Sequence, residues 1–263
     1  MSGLIRYEWL RLTTIRSTWI MLATPIVLTA VVGWLFGYFS DSLDPGGDGA
    51  TVSFGLLISA SPVMTLAAVF LSVVFAQSIG QEYRHGLIRV TLTEVPHRSR
   101  VLVVKIVMMG ILMLVMAVIV VAVLWGAAIV GIAPTGGSVQ YVAAIDNPLI
   151  VRALLYVLIF TMIAFAITMI TRIIQLGIIL PIVLALLVEP IVRVIVLIAT
   201  MGGGGGGQPD ISSEPLILRL LPFTSGQSAL ATTGDPWQGL MVFAIWCALL
   251  LIPGWILFVR RDA

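Results

Sequence analysis

Glu189 and Arg193 stand four residues apart in the otherwise aliphatic stretch LALLVEPIVRVIVL. On a helix that spacing puts a carboxylate and a guanidinium on one face, where each neutralises the other and lowers the cost of burying both. They are candidates for an intramembrane ion pair, either structural or lining a polar pathway. Covalent chemistry has no such support. A paired-carboxylate hydrolase needs a second Glu where Val188 stands, and no serine occupies a G-x-S-x-G context. His85 and His97 lack the H-E-x-x-H spacing of a metal site. No G-x-x-x-x-G-K-[ST] phosphate loop occurs, and the one lysine, Lys105, follows Leu102-Val103-Val104 rather than glycines. The expectation is a chain without catalytic residues, without a metal and without a cofactor of its own.

The elements that must position these charges are six long apolar segments. They run from Trp19 to Phe39, Leu56 to Ile79, Val101 to Ile132, Ile150 to Ile170, Ile173 to Ala199 and Leu240 to Val259. Each reaches the roughly 20 residues a helix needs to cross about 30 Å of hydrocarbon. With 60% hydrophobic and 10% charged residues, and a mean hydropathy of +1.14, an aqueous fold has no means of hiding this apolar surface. The predicted fold class is all-α: a polytopic membrane protein with six transmembrane helices, forming one domain over residues 1–263.

Charge sorting orients it. Arg6, Arg11, Arg16, Arg84, Arg89, Arg98, Arg100, Lys105, Arg172, Arg260 and Arg261 fall on one side, which the positive-inside rule makes cytoplasmic. The opposite loops carry Asp41, Asp44, Asp48, Asp146, Asp210, Glu214 and Asp235 against one clear cation, Arg219. Both termini are therefore expected in the cytoplasm of a bacterial cell, with the chain in the plasma membrane. The net charge of +2 comes largely from the cytoplasmic loops and indicates contact with lipid headgroups, not with nucleic acid. The single Cys247 lies in the last span, so no intrachain disulfide is expected. The first apolar stretch has full span length and no small-residue cleavage site at its end, which predicts a retained helix and not a cleaved signal.

Three non-spanning segments have their own character. In residues 1–18, Leu4, Ile5, Trp9, Leu12 and Ile15 share one helical arc, predicting an interfacial helix along the inner membrane face. The plainer reading is a basic anchor with no further role. Residues 80–100, within QEYRHGLIRVTLTEVPHRSRVLVVK, form the longest cytoplasmic loop, with enough apolar residues for a short helix ended by Pro96. Residues 201–237 open with a flexible tether, Gly202 to Gly207. Beyond it, Leu216 to Leu230 is too short to cross and too apolar for a free loop, so a short outer re-entrant hairpin is expected before the last span. Between the fourth and fifth spans only Thr171 and Arg172 remain, which predicts a tight helical hairpin, and Pro181 and Pro190 should kink the fifth span.

Glu82-Tyr83-Arg84, then Gly86, Leu92, Pro96, Arg98 and Arg100 ahead of Lys105, resemble the E-Y-R-x-G-[TL]-[IL]-R-x-x-L-x-x-x-P-x-R-x-R segment of ATP-binding-cassette transporter permeases of the type-2, exporter-like family. Tyr7-Glu8-Trp9-x-Arg11-Leu12, followed by Ile15-Arg16-Ser17-Thr18-Trp19, resembles the start of those permeases, and Leu87 stands where the family often has Thr. The resemblance implies that residues 1–18 are an elbow helix. It also implies that Glu82, Arg84, Gly86, Arg89, Pro96, Arg98 and Arg100 belong to a coupling loop docked into a separate ATPase subunit, which uses ATP and Mg. It further implies a dimer with a second copy or a similar permease, and export of a hydrophobic or amphipathic cargo such as a drug, lipid or peptide. The alternative class is a stand-alone membrane binding, immunity or sensor protein without a transport cycle.

Overall fold

A computed structural model describes Leu10, Thr13, Thr14 and residues 16–39, 51–53, 63–85, 98–135, 138–140, 148–201, 216–231 and 235–260. Six helices in it are long and apolar enough to cross a membrane, and the chain is an all-α, multi-pass membrane protein. The helices are α1 (Arg16–Tyr38), α2 (Val63–His85), α3 (Arg98–Ile132), α4 (Leu149–Thr171), a fifth span built from α5 (Ile174–Val183), a π turn (Leu184–Val188) and α6 (Glu189–Met201), then the short α7 (Leu216–Leu220) and α8 (Pro222–Ser228), and α9 (Pro236–Arg260). Two three-residue strands, β1 (Thr51–Ser53) and β2 (Ser138–Gln140), pair in parallel and tie the loop after α1 to the loop after α3. The sequence carries no strand signal at these places, because three backbone pairings need no alternating pattern.

The most enclosed spans, α2 and α4, pack on each other at the centre. On one flank α1 lies along α3, and on the other α9 lies along α4, with α5 closing against α4 and α2. The α1–α3 contact is close because Gly33 and Gly37, one turn apart, leave the backbone bare. A Cβ at Gly33 would fall 2.6 Å from the carbonyl oxygen of Leu124. Small residues at this spacing let helices meet in lipid, where no hydrophobic effect drives them together. The outward faces of α1, α3, α5, α6 and α9 carry exposed Val, Ile, Leu and Trp side chains, as a lipid-bathed surface requires.

Helix ends depart from the apolar segments in an informative way. The second span does not stop at Ile79 but stays helical to His85, so Glu82, Tyr83 and Arg84 lie on a helix and not in a loop. The third helix has 35 residues and is about 52 Å long, well beyond the hydrocarbon thickness. Lys105, two turns beyond Arg98, meets the last two turns of α2. Most of the expected interfacial segment 1–18, and Gly202 to Gly207 of the tether, lie outside the described residues.

Candidate functional site

Two clusters of polar side chains are buried in the bundle, one at each end. The basic end, marked by Arg84, Arg100 and Arg172, holds the first. There Glu82 of α2 and Lys105 of α3 are both buried, with Lys105 Nζ 2.5 Å from Glu82 Oε1. Lys105 Nζ also donates to the carbonyl oxygen of Ser78 at 3.2 Å. A single buried cation thus ties the last two turns of α2 to the start of α3. This partner is the physical reason that α2 continues past its apolar stretch: a lone carboxylate at Glu82 would favour water and an earlier helix end.

The α4–α5 hairpin joins the same cluster. Arg172 caps α4 in the left-handed conformation, φ 59°, and its N–H donates to Thr168 O at 2.8 Å. Its guanidinium lies 5.4 Å from the ring centroid of Tyr83, a cation–π contact. The turn is as tight as its two-residue length predicts. Gly177 makes it possible, since a Cβ there would fall 1.7 Å from Thr168 Oγ1.

The expected coupling residues divide accordingly. Glu82 is turned into the bundle, Arg84 and Arg100 are exposed, and Arg98 opens α3. Gly86, Arg89 and Pro96 lie outside the described residues.

The second cluster surrounds α8 at the opposite end. Glu189 is 2% exposed, and its carboxylate accepts the N–H of Phe223 at 3.1 Å, the N–H of Thr224, and the hydroxyl of Thr224 at 2.8 Å. These are the second and third residues of α8. The first is Pro222, which has no N–H, and the N–H of Ser225 returns to Leu221 O at 3.0 Å. Every donor of the first turn is thereby satisfied, a full account that an apolar setting demands. At the other end Arg152 of α4, fully buried, donates from one guanidinium nitrogen to Ala229 O at 2.9 Å and to Ala231 O at 3.1 Å. Carboxylate at the N-terminus and guanidinium at the C-terminus both oppose the helix dipole favourably.

An aromatic box supports α8 from below. Phe223 lies 5.0 Å from Phe160 and 5.8 Å from Phe243, and Tyr156 lies 5.6 Å from Phe243. The Tyr156 hydroxyl is 3.1 Å from Thr65 Oγ1, which links the box to α2. Phe160 is the middle residue of the 23-residue α4, so the tip of the α7–α8 hairpin sits level with the middle of a span. Before the last span the chain forms two short helices, α7 and α8, with α8 held against α4, α6 and α9.

Glu189 and Arg193 do share α6, but they face different surroundings. Both carboxylate oxygens of Glu189 are engaged by α8, while Arg193 one turn on is exposed. The sequence reading missed Arg152, although an arginine three residues into the apolar run after Pro148 is itself a signal. Among the described residues no group of His, Cys, Asp and Glu is arranged to hold a metal ion. Compared with known proteins, the chain matches no family model and no curated sequence.

Proposed function

We propose that this chain is the membrane-spanning permease subunit of an ATP-driven exporter of the ATP-binding-cassette class, with its basic end and both termini in the cytoplasm. The observation that carries the reading is the buried Glu82–Lys105 pair, 2.5 Å apart, which joins the helices on either side of the charged loop between them. A soluble partner that pushes on this segment moves α2 and α3 together, and through Tyr83 and Arg172 it moves the α4–α5 hairpin as well. Charge sorting along the chain and the likeness of residues 82–105 to the permease segment support the same reading.

In this reading the exposed Arg84 and Arg100 face an ATPase subunit that binds ATP and Mg, since this chain has no phosphate loop. Glu82 acts from inside, as the clamp that passes the movement on. A second copy, or a similar permease, completes the pathway, and lipid surrounds the assembly. The cargo is hydrophobic or amphipathic, in keeping with spans built mainly of Val, Ile, Leu and Met.

The deciding experiment is purification of the tagged protein in mild detergent, with identification of what accompanies it. A stoichiometric subunit bearing a phosphate loop is the expected result. A chain that comes alone, and binds no ATPase encoded beside it, belongs to the stand-alone binding, immunity or sensor class instead.

A further inference from the structure

We propose that the π turn Leu184–Val188 is a two-state hinge, and that α8, held between Glu189 and Arg152, is the latch it releases. The π turn lies between two prolines, Pro181 and Pro190, each of which lacks the N–H that would close a helical bond to the residue four before it. The helix ladder is thus interrupted on both sides of the same five residues. The first residue beyond the π turn is Glu189, whose N–H bonds Leu184 O, five residues back. A π turn in a helix marks a place where an extra residue is stored, and such places recur at sites that move.

The geometry of straightening is simple. If the Glu189 N–H takes the carbonyl four residues back, α6 advances by one residue, a rotation of about 100° and a shift of about 1.5 Å along the axis. That carries the carboxylate off the N–H groups of Phe223 and Thr224. Both donors then lie in apolar surroundings without an acceptor, a costly state, so α8 leaves its place. The Arg152 end is anchored on α4, independent of α6, and α8 pivots about it. The aromatic box of Tyr156, Phe160 and Phe243 is what the movement uncovers. Neither hinge nor latch requires that the chain export anything.

Opening is read by a thiol at Ser225, which is 2% exposed in α8. The full chain carrying Ser225→Cys and Cys247→Ala is reconstituted in lipid vesicles, and its reaction rate with a charged, water-soluble thiol reagent is measured. Glu189→Gln should raise the rate at least about tenfold, because the latch is weakened. Deleting Leu187 removes the stored residue and the π turn with it, keeps Glu189 on α8, and should lower the rate at least about tenfold. An unchanged rate in either variant overturns the proposal. If the deletion does not yield monodisperse protein, Pro190→Ala serves in its place. It restores the N–H that the straightened helix lacks and should speed labelling, and a rate equal to the parent's would exclude the hinge.

Discussion

Arg152 and Glu189 hold opposite ends of the same seven-residue helix, although they come from different spans. Neither touches the other. Each meets the end of α8 whose partial charge opposes its own, and together they make a short helix stable where an isolated one of that length is not.

Removing either charge should loosen this end of the bundle. Arg152→Met leaves the carbonyls of Ala229 and Ala231 without their donor, and a loss of about 2–3 kcal/mol is expected. Glu189→Gln keeps the shape and one acceptor, so about 1–2 kcal/mol is expected. Unfolding in mixed detergent micelles, followed by tryptophan fluorescence, gives both values, and the larger effect should belong to Arg152.

At the basic end, Lys105→Met strands a buried carboxylate. A destabilisation of about 3–5 kcal/mol is expected, and most of it should return when Glu82→Leu is added, because two apolar side chains replace the pair. A double-mutant cycle measures the coupling. Single losses that merely add would remove the pair from the support of the fold.

If the chain works with an ATPase as proposed, Glu82 and its exposed neighbours should separate in their effects on that partner. Arg84→Glu with Arg100→Glu is expected to cut co-purification at least about tenfold by opposing a docked surface. Glu82→Gln should leave co-purification intact and abolish stimulation of ATP hydrolysis by cargo. Equal binding by both variants would take the arginines out of the interface.

Orientation is open to direct test. A cysteine at Asp235, exposed before α9, should react with an impermeant reagent added to intact cells, and one at Ser99, exposed on α3, should react only after lysis. The reverse pattern would invert the topology.

The α4–α5 turn offers a packing test. Gly177→Ala should cost about 1–3 kcal/mol through overlap with Thr168 Oγ1, and Thr168→Ala should recover part of it by removing that atom. The same unfolding assay reads both.

Much of the architecture was legible from residue types. The six apolar helices, the disturbed fifth of them and the tight turn after the fourth, which falls at Arg172 and Ile173 and so one residue later than expected, follow from hydropathy and from proline placement. The partners of the buried charges were not. Glu189 and Arg193 are four apart, which suggests a pair, but α8 engages both carboxylate oxygens of Glu189 with donors, two of them backbone N–H groups, that no side-chain pattern announces. Glu82 likewise stood among loop residues until Lys105, 23 positions later, gave it a buried partner.

Sequence alone determined that this chain carries six helices long and apolar enough to cross a membrane, because that depends on transfer from water, a property of each residue by itself. Only tertiary structure decided which charges meet, Lys105 with Glu82, and Arg152 and Glu189 with the ends of α8. Those contacts depend on the distance and direction between helices that are remote in sequence, and in an apolar interior each buried charge must find its partner through packing.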